Sequence, residues 1–133
     1  MLSPRQLMDD AFKGIRRDAL RERGFKGFLP HFRRLLQVRV DLLTIQYDKS
    51  GGGFVVEISH CGIEGVTTYW GKHVPAAKVT AWDLHPNQRL RLKLKDGAGT
   101  DAWFRFENGE YRNVADQVLS RLADADNYWS SRT

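Results

Sequence analysis

Crosslinking residues and long apolar runs are scarce in this chain. Cys61 is the single cysteine in 133 residues, which excludes an internal disulfide and indicates a reducing compartment. No run approaches the roughly 18 apolar residues of a membrane-spanning helix, and the N-terminus lacks the apolar stretch of a signal peptide. We therefore expect a soluble, cytoplasmic protein that makes no membrane contact.

Residues that could carry chemistry are also few. The candidate metal ligands lack the close paired spacing of a zinc site; they are His31, His60, Cys61, His73 and His85. A Cys61 nucleophile with a distant histidine stays open, although no flanking signature supports it. Asp83 and His85 would share a strand face, which indicates a hydrogen bond before it indicates catalysis. We therefore predict no metal, no cofactor and no identifiable catalytic residue.

Apolar and charged residues are balanced as in a folded domain. Hydrophobic residues make up 41% and charged residues 28% of the sequence, which is enough apolar material for one core over residues 1–133. The net charge is +5, from 21 Lys and Arg against 16 Asp and Glu. Residues 13–39 alone hold nine Lys or Arg against two Asp or Glu. This local excess favours an acidic partner.

Helix signals stand near the N-terminus. Ser3 is a good N-cap, and Gln6 completes the spacing of a capping box. Apolar residues then recur at helical spacing, which predicts a helix from Pro4 to about Arg23. Gly24 suits a left-handed C-cap.

Alternating apolar residues predict strands in the middle of the chain. Residues 28–35 form a possible first strand, and Pro30 indicates an edge position. Apolar residues fall on even numbers over 36–42 and on odd numbers over 43–47. A one-residue slip of this kind predicts a bulge or a sharp bend.

The glycine-rich segment Asp48–Gly53 predicts a turn rather than a phosphate-binding loop, because a strand follows it instead of a helix. The two strands then form a first hairpin. Its predicted register puts three apolar pairs on one face: Tyr47 with Phe54, Ile45 with Val56, and Leu43 with Ile58.

Residues 89–107 predict a second hairpin around a loop at 96–100. Its apolar face would pair Leu90 with Phe106, Leu92 with Phe104, and Leu94 with Ala102. Its outer face would pair Arg89 with Glu107, Arg91 with Arg105, and Lys93 with Trp103.

That outer face is the candidate binding site of the sequence: Arg89, Arg91, Lys93, Trp103 and Arg105. Cations around an indole can bind single-stranded nucleic acid, because the cations neutralise phosphates and the indole stacks on bases. They can equally form a hot spot for an acidic protein, because Trp and Arg are enriched there. A third interpretation is a solvated sheet face with a cation–π contact and one salt bridge.

The segment 61–88 follows no clean period. Glycines interrupt it and aromatic residues are spread along it, so we predict short strands at Val66–Trp70 and Lys78–Leu84, joined by an irregular loop. After the sheet, Asn113 is a reasonable N-cap for a second helix over about Val114–Asp126. Tyr128 and Trp129 would then pack back on the sheet.

The order of these elements resembles the uncharacterised bacterial domain-of-unknown-function family numbered 4304, from about Leu7 to Leu122. The segments that carry the resemblance are Leu20 to Phe25, Ile45-Gln46, Phe54 to Ile58, Arg89-Leu90, Asp101, Trp103-Phe104 and the closing helix. The chain departs from the family pattern at Ser59 and His60, where a glycine is usual. The resemblance implies an α+β fold and implies no activity, cofactor or catalytic residue.

The fold class predicted is α+β: an N-terminal helix and cap over residues 1–27, an antiparallel meander of five to six strands with two hairpins over 28–107, and a C-terminal helix packed on the sheet over 108–133. For function we favour a non-enzymatic protein-binding module of the accessory or immunity type, whose partner has an acidic surface. Nucleic-acid binding through the basic face and a small enzyme using the segment 61–88 are the alternatives.

Overall fold

The computed structural model describes residues 2–93 and 102–132 and has the predicted α+β architecture. Its helices are α1 (Pro4–Ile15), which continues into a π-helical turn (Arg16–Leu20), and α2 (Tyr111–Ser130), with short 3-10 turns at Ala81–Asp83 and Pro86–Gln88. Its strands are β1 (Lys26–Phe28), β2 (His31–Leu35), β3 (Val40–Tyr47), β4 (Gly53–Cys61), β5 (Val66–Thr67), β6 (His73–Val74), β7 (Leu90–Arg91) and β8 (Phe104–Arg105).

The predicted capping box is present at the start of α1. The Ser3 hydroxyl accepts from the Gln6 backbone N–H at 3.2 Å, and the Gln6 side chain accepts from the Ser3 N–H at 2.7 Å. At the other end, Gly24 has φ of +91° and the Phe25 N–H donates to the Leu20 carbonyl at 2.9 Å. This is the hydrogen bond of a Schellman cap, so the helix ends where its sequence indicates.

The single strand predicted over residues 28–35 is wrong. The chain reverses at the cis Leu29–Pro30 bond, and β1 and β2 pair as an antiparallel hairpin on either side of it. Proline has no N–H to give to a ladder, so it lies in the turn between the strands. β1 is one edge of the sheet, whose order is β1-β2-β3-β4-β7, with β8 also on β4.

The first hairpin has the predicted register. β3 pairs with β4 without interruption, from Val40 opposite Cys61 to Tyr47 opposite Phe54. The predicted bulge is therefore wrong, and residues 36–39 form a turn rather than part of the strand. The apolar series changes phase because both faces of β3 are buried: Leu42 and Leu43 are 0% and 2% exposed on opposite sides.

The two faces of the sheet have different covers. One face packs against α1 and α2 in the main core, which includes Phe12, Phe54 and Leu122. On the other face, the segment 61–88 covers Val40 and Leu42 with a smaller cluster of Val74, Val79, Ala81 and Leu84. We call this the second face. In that segment β5 and β6 pair with each other, and the strand predicted at Lys78–Leu84 is instead an irregular stretch with a 3-10 turn.

The register predicted for the second hairpin is wrong. β7 and β8 each pair with β4: Leu90 lies opposite Ile58, and Phe104 lies opposite Phe54. The edge of β4 offers both segments backbone partners, and Leu92, Phe104 and Phe106 still reach the core. The predicted Leu94–Ala102 pair and the loop at 96–100 lie outside the described residues.

The C-terminal helix is longer than predicted. α2 begins at Tyr111 after a Glu110 N-cap, so Asn113 lies within the first turn, and it continues to Ser130. Leu119, predicted on the apolar stripe, is 42% exposed. Trp129 packs on the sheet as predicted, since it is fully buried and its indole N–H donates to the Ser59 carbonyl at 3.0 Å. No helix within residues 2–93 and 102–132 combines the length and apolar character that crossing a bilayer requires.

Candidate binding surface

A row of polar side chains crosses the second face of the sheet beside the cover formed by residues 61–88. His31 on β2 lies opposite Thr44 on β3, Thr44 lies opposite Glu57 on β4, and Glu57 lies opposite Arg91 on β7. Residues at the same register position project to the same side of a sheet. Because neighbouring strands lie about 4.8 Å apart, the row spans about 14 Å.

Glu57 is the electrostatic centre of this row. Its side chain is only 6% exposed, and its carboxylate accepts from Arg89 Nη1 at 3.1 Å and lies 3.8 Å from Arg91 Nε. A carboxylate removed from water requires such partners, because an unpaired buried charge is strongly destabilising. The side chains of Arg89 and Arg91 are 14% and 47% exposed. Glu57 thus pairs with Arg91 while about half of the Arg91 side chain stays in contact with solvent.

Trp103 packs beside Arg91 at the sheet edge. The guanidinium carbon of Arg91 lies 5.9 Å from the centre of the Trp103 ring, within cation–π range. Both Trp103 and Arg105 lie next to Gly53: a Cβ there would make ordinary contacts with Trp103 Cε3 at 3.6 Å and Arg105 Cγ at 3.8 Å, and a tight one with the Phe104 carbonyl oxygen at 3.1 Å. Arg105 itself lies opposite Gly53 in the ladder.

Four of the five residues predicted as a binding site are thus brought together, and we call Arg89, Arg91, Trp103 and Arg105 the Arg–Trp cluster. Their pairing differs from the prediction, since Arg89 bonds to Glu57 rather than facing Glu107, and Arg91 faces Glu57 rather than Arg105. Lys93 is exposed where β7 ends, and its carbonyl accepts from Arg121 Nε at 3.0 Å. The buried carboxylate makes this surface less positive than the sequence predicted.

The opposite end of the row carries a second tryptophan. His31 Nδ1 lies 2.9 Å from Thr44 Oγ1, and the Trp82 ring meets the imidazole edge-on at 4.7 Å between centres. Burial lowers the pKa of His31, against the opposing charge of Asp83, so the ring is neutral at pH 7. Trp82 remains 43% exposed. No pattern in the sequence predicts this end, because its prediction requires knowing that β2 lies beside β3 and that residues 81–83 form a turn above them.

Two further aromatic side chains are exposed at the turn between β5 and β6. Tyr69 and Trp70 are 81% and 54% exposed and contact each other edge-on at 4.8 Å between ring centres. Backbone hydrogen bonds from Thr68 to Lys72 and from Gly71 to Thr68 fix the turn that presents them. The irregular segment 61–88 thus presents two of its aromatic side chains at the surface.

The residues named for catalysis or metal binding have different hydrogen-bond partners, although the Asp83 carboxylate is near enough to His31 and Cys61 to raise the pKa of each. His60 Nδ1 lies 3.0 Å from the Tyr128 hydroxyl, and His73 Nδ1 lies 3.4 Å from Thr67 Oγ1. The Asp83 carboxylate accepts from the Thr80 N–H at 2.8 Å, while His85 accepts from the Asn87 N–H at 3.3 Å. Across the two described ranges, no group of three or more His, Cys, Asp or Glu side chains is placed to hold a metal ion.

Cys61 has the electrostatics of a buried thiol. It ends β4 and packs against the apolar cluster of Val40 and Leu42. Burial raises the pKa of its thiol to about 11, and the nearby Glu64 carboxylate adds to the effect. Nucleophilic cysteines have lowered pKa values, so this environment is the opposite of an activated one.

Comparison with known proteins identifies the family. Neither the curated proteins nor the solved structures contain a match to this chain. A family model described as "Domain of unknown function (DUF4304)" matches residues 16–132, which include every strand of the sheet and α2, whereas α1 (Pro4–Ile15) precedes the matched range. The resemblance noted in the sequence is confirmed, and the chain belongs to the DUF4304 family.

Proposed function

We propose that this domain is a non-enzymatic protein-binding module, of the accessory or immunity type, and that the Arg–Trp cluster is its principal contact with an acidic partner surface. The observation that carries the proposal is the state of Arg91. Its Nε lies 3.8 Å from the Glu57 carboxylate and its guanidinium carbon 5.9 Å from the centre of the Trp103 ring, and yet its side chain is 47% exposed.

Fixing an arginine in advance matters for binding. A long side chain that becomes ordered only in the complex loses conformational entropy, about 0.5–1.5 kcal/mol for each such residue. Arg91 has lost part of that freedom before any partner arrives. Arg and Trp are also the residue types most enriched among the few that dominate protein interfaces. A carboxylate on the partner could therefore dock on Arg91 with little reorganisation.

Nucleic-acid binding through the same residues is less well supported. Such binding depends on cations that are available to phosphates and on aromatic faces that are available to bases. Glu57 compensates part of the charge of Arg89 and Arg91, and the Arg91 guanidinium stands over the indole of Trp103.

The net charge of +5 also argues against one class of protein partner, a basic nuclease, because like charges repel.

The test uses purified wild-type protein with Arg91→Glu, Trp103→Ala and Arg105→Glu variants. Proteins retained by the immobilised wild type from a lysate of the native host are identified, produced and titrated in solution. We expect a specific partner that Arg91→Glu weakens by at least tenfold, or about 1.4 kcal/mol. Lys72→Glu, which changes the same charge at an exposed position away from the cluster, is the matched control and should bind normally.

Two results would contradict the proposal. One is a partner that binds the three variants and the wild type equally. The other is tight binding of single-stranded oligonucleotide that falls steeply with salt and is lost in Arg91→Glu, which would establish the nucleic-acid alternative.

A further inference from the structure

The opposite edge of the sheet carries a second surface with its own chemistry. β1 is an edge strand, and Lys26, Gly27 and Phe28 are all exposed along it. Phe28 keeps 72% of its surface accessible. An edge strand leaves alternate backbone N–H and C=O groups without a ladder partner, which makes it a template for another strand.

Two hollows flank β1, and Phe28 lines both of them. One, of about 460 Å³, lies against Arg21, Phe25 and Lys26. The other, of about 210 Å³, lies between Phe28 and Leu29 and the residues Phe12 and Lys13 of α1. Each hollow has room for an apolar side chain, and aromatic rings form part of each wall.

The charges around these hollows have one sign. Their charged lining residues are Lys13, Arg21 and Lys26, and no carboxylate lines either hollow. Lys13 is paired with Asp10 at 3.0 Å across the exposed surface of α1. Within the part of the chain that the structure describes, Arg21 and Lys26 form no salt bridge, so their charge is available to a partner.

We infer that β1 is a docking edge for an extended acidic segment of a partner protein, which adds a strand beside Lys26–Phe28. In an added strand, alternate residues face the same side, so apolar side chains spaced by two would enter the hollows while carboxylates meet Arg21 and Lys26. This edge lies across the sheet from the Arg–Trp cluster, and the inference does not depend on the function proposed for that cluster.

The experiment selects binders for the wild-type protein from a displayed library of short random peptides. The enriched peptides should be acidic, with apolar residues at alternate positions. Lys26→Glu and Phe28→Ser should each weaken the enriched peptides by at least about tenfold, because one reverses the local charge and the other removes an apolar wall. Amide hydrogen exchange over residues 26–28 should slow when the peptide binds.

Matched variants separate this edge from other surfaces. Lys72→Glu and Tyr69→Ser make the same changes at exposed positions of the β5–β6 turn and should bind the peptides like the wild type. Arg91→Glu should also bind normally, and failure of the Arg–Trp proposal would therefore leave this result unchanged. The inference is overturned if no peptide is enriched, if the enriched peptides lack acidic residues, or if they bind Lys26→Glu unchanged.

Discussion

Replacing Glu57 by glutamine tests both the stability of the sheet and the geometry of the Arg–Trp cluster. Glu57→Gln keeps the size of the side chain and removes its charge. Arg89, only 14% exposed, would lose the one carboxylate that it contacts, and its Nε already has no hydrogen-bond partner among the residues described. Arg91 is 47% exposed and can turn into solvent.

The expected loss of stability follows from this difference in exposure between Arg89 and Arg91. Removing one partner of a buried ion pair costs about 3–5 kcal/mol, because the other charge stays buried. The contact with Arg91 resembles a surface pair, worth about 0–1 kcal/mol. We therefore expect Glu57→Gln to lower the free energy of unfolding by about 3 kcal/mol, and the Tm by about 10 °C for a chain of this size.

Urea unfolding of four proteins measures the coupling: the wild type, Glu57→Gln, Arg89→Met and the double variant. The double variant removes both charges and should recover most of the stability that Glu57→Gln loses, since an apolar pair often replaces a buried ion pair without loss. Glu64→Gln, at an exposed carboxylate, is the control and should change little. A loss below about 1 kcal/mol in Glu57→Gln, or additive losses in the double variant, would refute the reasoning.

Three further predictions concern the rest of the sheet. Trp129→Phe should lower the free energy of unfolding by about 1–3 kcal/mol in urea titrations, since the Ser59 carbonyl would lose the indole N–H that bonds to it at 3.0 Å; a neutral result would contradict this. Burial lowers the pKa of His60 below 6.5 in the folded protein, so on acidification the unfolded chain takes up the proton first. Stability is then retained above about pH 6.5 and lost below it, and His60→Gln should reduce the loss seen by thermal unfolding between pH 7 and pH 5. Finally, with its pKa raised from 9.0 to about 11, Cys61 should react with iodoacetamide at pH 7.5 about a hundredfold more slowly than in urea-unfolded protein, and equal rates would contradict the burial of the thiol.

Signals that act over a few residues were sufficient for much of the fold. The cap at Ser3 and the stop at Gly24 depend on their immediate neighbours, and both appear as predicted. The register of β3 on β4 follows from one short turn, which leaves few ways to align the strands. The order of strands across the sheet is a different problem, because alternation does not say which edge a strand joins. The sequence therefore predicts a hairpin within residues 89–107, whereas in the structure both segments pair with β4.

Four of the five residues predicted for the basic face belong to the Arg–Trp cluster although the predicted register is wrong, and the period of a strand explains why. Arg89 and Arg91 share one face of their segment, and Trp103 and Arg105 share one face of theirs, whichever strand each segment joins. The sequence did not predict the carboxylate that contacts Arg89 and Arg91. Glu57 comes from a strand that the prediction placed in the other hairpin, and it decides how much positive charge remains.

The cover of the second face lies over both apolar and polar residues of the sheet. Along β3, Val40 and Leu42 lie under the segment 61–88 and are apolar, whereas Thr44, on the same side, is polar and belongs to the row that leads to Glu57. A strict alternation of apolar and polar residues would have made this face of β3 apolar along its whole length. Thr44 is fully buried and bonds to His31, whose ring meets Trp82 of the same segment, so the cover also accommodates polar residues where it supplies partners for them. The segment 61–88 thereby contributes Trp82 to one end of the row whose other end is Arg91.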